Sequence, residues 1–105
     1  MLAEPSPRFL HSSAAVGDQL YLWGGHTEDF LKKKNVLASA LHSFHPALES
    51  WERHKCSGPP PPALHGAACV STGNYLYLYG GYDGSNCRGS LYRLDTKSQK
   101  WQQLK

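Results

Sequence analysis

Six histidines, three cysteines and a few clustered cations are the residues of this chain best equipped for chemistry, and their spacing decides how much of it they can do. His42 and His45 stand three apart, and along a strand such residues point to opposite faces, so they share a metal ion only where the strand has ended. His54 and Cys56 are two apart and can face one side, but no second His or Cys pair at ligand spacing completes a tetrahedral set. No metal or cofactor is expected. Gly-x-Ser-x-Gly, Gly-x-Gly-x-x-Gly, Walker and His-Glu-x-x-His motifs are all absent, and no enzymatic activity is expected. A triad assembled from scattered residues leaves no motif to read. Cys87 beside Arg88 has a neighbour that favours the thiolate, although an ordinary loop thiol is the simpler reading. Pro59 to Pro62 satisfies the Pro-x-x-Pro pattern of SH3 ligands, but as a connection between repeated units it has a structural reason to exist. Lys32, Lys33 and Lys34 are too few for a nucleic-acid patch; following Phe30 and Leu31, they set positive charge beside an apolar pair, the composition of a protein contact.

These residues must be positioned by short strands. The 105 residues make at most one ordinary domain with a small core; 40% hydrophobic and 18% charged residues are globular composition, and three Trp, six Tyr and three Phe among short runs favour an all-β chain. A net charge of +3 calls for neither nucleic acid nor a membrane surface, and no apolar run approaches a membrane-spanning length. Cys56, Cys69 and Cys87 are odd in number and irregularly spaced, unlike a secreted disulfide framework. Without an apolar leader in residues 1–7, the expectation is an intracellular protein, cytoplasmic or nuclear.

The chain spells one stretch twice. Leu20-Tyr21-Leu22-Trp23-Gly24-Gly25 returns as Leu76-Tyr77-Leu78-Tyr79-Gly80-Gly81, apolar throughout, as in strands covered on both faces. Each run ends on two residues without Cβ, which can leave the strand at positive φ. Around it the copies align: residues 11–16 match 65–70, the glycine pairs lie 56 apart, and Leu41 and Trp51 match Leu91 and Trp101, each 50 apart. The first copy therefore carries six extra residues between its glycine pair and its third strand. Each unit reads as four strands. In the first they are residues 11–16, 20–23, about 40–44 and from 51, with 26–35 a long polar connection. Four prolines in a row lack amide donors, so 56–62 must be a connection. The expected organisation is a lead-in at 1–7, a first unit at 8–55, the connection at 56–62 and a second unit at 63–105.

A period of about 50 with four strands, a double glycine and a spaced tryptophan resembles the kelch repeat of β-propellers. Gly24, Gly25, Gly80, Gly81, Tyr92, Asp95, Trp51 and Trp101 carry the resemblance; His45 stands where the family usually has Asp, and Pro62 where Arg8 stands in the first copy. The implied fold is two four-stranded antiparallel kelch blades of an incomplete ring, with both tryptophans filling the space between blades. Propellers close with about four to eight blades, and about three repeats are normally needed for stability. Part of a longer kelch protein is therefore the first expectation, ahead of a head-to-tail ring of copies or a two-blade unit that needs a partner. The resemblance implies a protein-binding module whose rim loops hold a peptide or protein, in the manner of substrate receptors of ubiquitin ligases. It places a basic and aromatic pocket at the centre of the ring, for which Arg8 and Arg88 are the contributors here. The alternatives it also implies are a piece of a kelch-type oxidase, epimerase or specifier protein, and a cytoskeletal scaffold.

Overall fold

A computed structural model of the chain describes residues 5, 7–9, 11–29, 34–37, 40–64 and 66–105, with side chains at all of these except 9, 26–29 and 34–37. Eleven strands occur among the described residues: β1 Arg8–Phe9, β2 Ser12–Val16, β3 Gln19–Trp23, β4 His26–Asp29, β5 Lys34–Leu37, β6 Leu41–His45, β7 Ser50–His54, β8 Ala68–Thr72, β9 Tyr75–Tyr79, β10 Leu91–Asp95 and β11 Lys100–Gln103. They form a four-stranded sheet β2-β3-β6-β7, a second in the order β8-β9-β10-β11, and a small sheet β1-β4-β5. All paired strands are antiparallel, and the two large sheets repeat one meander. The two large sheets lie side by side as two blades, with strands β2 and β8 adjacent.

The glycine pairs leave their strands alike. Gly24 and Gly25 have φ of 72° and 90°, Gly80 and Gly81 of 78° and 91°, a left-handed exit that a side chain would resist. After the first pair the chain does not run on as an unpaired polar connection. It forms the β4–β5 hairpin, with His26 opposite Leu37 and Asp29 opposite Lys34, and β1 pairs along β4 through Arg8↔Thr27 and Phe9↔His26. The polar residues of this stretch hid its strand character, and its backbone pairs with β1. In the second copy the same place holds a loop closed by a single bridge between Tyr82 and Cys87.

The blades meet through unlike faces. Successive strand residues point to opposite sides, and the second blade turns Leu76, Leu78, Tyr92, Leu94 and Trp101 inward, each 6% exposed or less. The first blade answers with its other side: Tyr21, Trp23, Leu41 and Ser43 are buried there. Trp23 meets Trp101 edge on, with ring centroids 5.3 Å apart. The backbone crosses the same boundary: Trp101 N donates to Ser57 O and Gly25 N to Leu64 O, both at 2.8 Å, and Ser57 N donates to Gln99 O at 2.9 Å. Ser12 Oγ of β2 donates to Ala67 O, just before β8, at 2.7 Å.

Trp51 differs from what its repeat position predicts. It is half-buried and packs in its own sheet against Phe44, 5.0 Å between rings, because it lies on the side of the first blade that the second does not cover. Leu20, the counterpart of Leu76, is 49% exposed for the same reason, so neither β3 nor β9 is covered on both faces.

Candidate functional site

Strand direction places Arg8, Lys34 and Arg88 on one rim. β3 and β9 run toward it and end there, and β6 and β10 start from it. The β4–β5 hairpin, β1 and the loop at residues 82–88 therefore share that rim, whereas the β6–β7 and β10–β11 turns lie on the other. Arg8 Nη1 donates to Gly24 O at 3.1 Å, which ties β1 to the glycine exit. Burial, and then the nearby Arg53 cation, lower the Arg8 pKa from its ordinary value. Next to them is His42, 5% exposed, whose imidazole is held below its ordinary pKa by burial first and then by Arg8, Arg53 and His54. His42 Nδ1, like Trp23 Nε1, has no hydrogen-bond partner among the described residues.

The loop at 82–88 is built around Asp83. Its Oδ1 accepts from Ser85 N at 2.9 Å and Asn86 N at 2.8 Å, and its Oδ2 pairs with Arg88 Nη1 at 3.3 Å. The backbone bonds from Asn86 and Ser85 are the main reason its carboxyl lies below the usual range. Arg88 N donates to Gly81 O at 2.8 Å, so its backbone is fixed to the glycine exit. Arg8 and Arg88 stand on one rim of neighbouring blades, each anchored beside a glycine pair. Phe30, Leu31, Lys32 and Lys33 lie outside the described residues; Lys34 opens β5 on that rim.

The repeat-signature residues do structural work at the opposite rim and in the core. Tyr92 is buried between the blades. Asp95 Oδ1 accepts from Lys97 N at 2.9 Å and closes the β10–β11 turn, which places the carboxyl below its usual range. His45, standing in the Asp position of the first copy, accepts from Leu48 N through Nδ1 at 3.3 Å, and so supplies the acceptor by other means. Its Nε2 lies 3.5 Å from Asp18, away from His42. No group of three or more His, Cys, Asp or Glu that can hold a metal occurs among the described residues. His11, matched to His65 by the repeat, is exposed, and His65 lies outside the described residues.

Residue spacing gave no sign of one constellation. Ser43 Oγ and His54 Nε2 are 2.7 Å apart, and His54 Nδ1 has Gln99 Nε2 at 3.1 Å and Glu52 Oε2 at 3.8 Å. The residue types are those of a hydrolase triad. The hydroxyl, however, is walled off from any substrate. Ser43 is 1% exposed, and His54 stacks on Tyr21 with 5.6 Å between rings. The group joins the first blade to Gln99 of the second. The only signal for it was the alignment of Ser43 with Arg93 and His54 with Leu104, polar residues in one copy where the other differs in kind.

The thiols are equally quiet. Burial pushes Cys69 up to about 11 and Cys56 above its ordinary value, disfavouring both thiolates. Cys87 is exposed, with its neighbour Arg88 paired to Asp83. In the proline run Pro61 is buried and Leu64 is 3% exposed, so the connection packs into the fold over part of its length.

The family description "KLHDC2/KLHL20/DRC7 Kelch-repeats domain" matches residues 2–105. The chain is 40% identical over 83 residues to the Rab9 effector protein with kelch motifs of Bos taurus, covering 78% of this chain and 22% of that protein. It is 30% identical over 104 residues to the leucine-zipper-like transcriptional regulator 1 homolog of Drosophila melanogaster, covering 95% and 10%. Kelch domain-containing protein 3 of Rattus norvegicus is 27% identical over 99 residues, covering 92% and 25%. The solved structure of YjhT superposes with a TM-score of 0.80 at 17% identity over 93% of this chain and 38% of that one, a likeness of fold. The chain spans a quarter or less of the length of these three curated relatives.

Proposed function

The chain belongs to the kelch-repeat family, and we propose that it is a protein-interaction module that contacts its partner through the rim carrying the β4–β5 hairpin. The observation that carries this reading is how the six extra residues of the first copy are used. They extend a tight loop into a hairpin that recruits β1 as a third strand, an organised protrusion where the second copy has one bridge. Exposed connections on a rigid scaffold are where binding residues concentrate. Around it the rim is cationic, with Arg8, Arg53, Lys55 and Arg88, and the sequence between the two hairpin strands is Phe30-Leu31-Lys32-Lys33. The partner such a surface suits is a protein segment with acidic residues flanking an apolar one.

The Rab9 effector relative is named for a protein partner, and we carry over to this chain only that class of partner. Delivery of a substrate to a ubiquitin ligase is the narrower role that the sequence resemblance supports, and an intracellular location goes with it. Enzymatic activity is not part of the proposal, since Ser43, the one hydroxyl set against an imidazole among the described residues, is buried.

The test replaces residues 26–40 with the sequence of residues 82–90, which removes the insertion and keeps both strand ends. Proximity labelling in cells then compares the two chains, with cooperative unfolding confirming that the replacement folds. Partners captured by the natural chain and lost from the replacement are the expected result. Capture of the same partners at the same yield would overturn the reading.

A further inference from the structure

The three-stranded sheet β1-β4-β5 ends in two unlike edges. β1 has two residues, and the Arg8 side chain ties it to Gly24 O, so that edge turns into the blade. β5 has four residues, all paired to β4: Lys34 with Asp29, Asn35 with Glu28, Val36 with Thr27 and Leu37 with His26. Among the described residues no strand pairs along its other side. In an antiparallel pair alternate residues turn N–H and C=O away from the partner strand, so β5 offers a short row of backbone donors and acceptors outward. The outer edge of β11 is different, because the connection between the blades runs along it through the parallel bridge of Ser57 to Lys100. The β5 edge belongs to a hairpin inserted between β3 and β6 of one sheet, on the rim, so it is present whatever stands on either side of the blade.

We propose that β5 receives an extended, acidic segment of the partner protein as the next strand of this sheet. The proposal rests on the reading of this rim as the partner surface and specifies how the contact is made. Main-chain hydrogen bonds supply the attachment, and charge supplies the choice of strand. Lys34 opens β5, and Lys32 and Lys33 precede it in the sequence, so the edge carries positive charge at its start. Lysine on an edge strand opposes pairing with the same edge of a second molecule, since like charges directly opposite destabilise a ladder. An acidic strand meets no such penalty. Asp29 already stands opposite Lys34 on β4, and the added strand would repeat that pairing of signs on the other side of β5.

The probe is the acetylated and amidated peptide Glu-Val-Glu-Val-Glu-Val-Glu, titrated into the natural chain and followed by the amide resonances and amide exchange of β5. Two control peptides accompany it, one N-methylated at every amide and so unable to donate, the other with Lys in place of Glu. Saturable binding of the first peptide with slowed exchange at alternate amides of β5 is the expected result, and both controls are expected to bind at least about tenfold more weakly. Equal binding of the methylated peptide, unchanged exchange along β5 or no saturable binding would each overturn the proposal. Asn35→Pro and Val36→Pro each delete one amide donor of β5, one facing β4 and the other facing outward. Whichever deletes the outward donor is expected to keep the β4–β5 pairing, seen as cross-strand proton contacts, and to lose both the peptide and the partners labelled by the natural chain. Partners lost on replacing residues 26–40 but kept by that proline variant would overturn strand addition alone. Partners indifferent to both changes would overturn the rim reading with it. Should the proline variant lose the hairpin, the methylated peptide decides the question on the natural chain.

Discussion

Trp51 and Trp101 occupy one position in two copies of one repeat, so truncating each to Ala separates what the position does from what its surroundings do. Trp101 is 1% exposed and meets the ring of Trp23 edge on. Burial of a tryptophan removes on the order of 200 Å² from water, which at about 25 cal/mol/Å² corresponds to roughly 5 kcal/mol as an upper figure. Because the site is walled on both sides, truncation also leaves a cavity, and Trp101→Ala is expected to cost about 3–5 kcal/mol. Trp51 packs against Phe44 in its own sheet and faces open space on the other side. Its truncation encloses no cavity, so only part of the transfer free energy is lost, roughly 2 kcal/mol. Against a total stability of about 5–15 kcal/mol for a small domain, the first change removes a large share and the second a small one. Urea unfolding followed by far-ultraviolet circular dichroism, at a concentration where the chain is single, measures both without relying on tryptophan emission. Equal losses, or a larger loss at Trp51, would refute the assignment of the two faces.

Gly58 sits at φ 79° where a Cβ would run into the backbone carbonyl of Trp101; Gly58→Ala is expected to lower stability by about 2–4 kcal/mol in the same urea assay, through both strain and loss of the Ser57–Trp101 pairing. Glu49 takes φ 50° in the β6–β7 turn, so Glu49→Gly is expected to raise the unfolding free energy by roughly 0.5–1 kcal/mol, a gain visible as a higher midpoint. Asp83 and Asp95 have carboxyl pKa values lowered by backbone donors. In the unfolded chain such groups take up protons first, near pH 4, so their contribution is complete above that value and is lost as pH falls through the lower folded values. Thermal melts between pH 6 and 2 are expected to fall less steeply in Asp83→Asn and Asp95→Asn than in the natural chain.

Which parts of this architecture were legible beforehand follows from what a repeat can encode. Gly24-Gly25 and Gly80-Gly81 mark the strand exits because positive φ at both members of a pair is a local demand, met by residue type alone. Trp101 as a wedge between blades was legible from its recurrence, but Trp51 shows the limit: recurrence reveals that a residue suits a covered face, not whether this chain brings the cover. The β4–β5 hairpin escaped reading because His26 to Asn35 lacks the apolar alternation that burial imposes, and its order comes from pairing with β1 across a long sequence separation. The Ser43–His54–Gln99 group likewise joins residues from two blades, so no window along the chain contains it.

The rim platform requires that the two blades move as one body, and amide hydrogen exchange tests this most directly. Among the described residues, Gly25, Ser57 and Trp101 donate three backbone bonds that link the first blade and its connection to the second. At low concentration their exchange is expected to report the same opening free energy as the central strand amides of β3, β6, β9 and β10, the behaviour of one cooperative unit. Faster exchange at these three amides, with the strands of each blade still protected, would show two blades that fold apart and would contradict the shared interface on which the account rests.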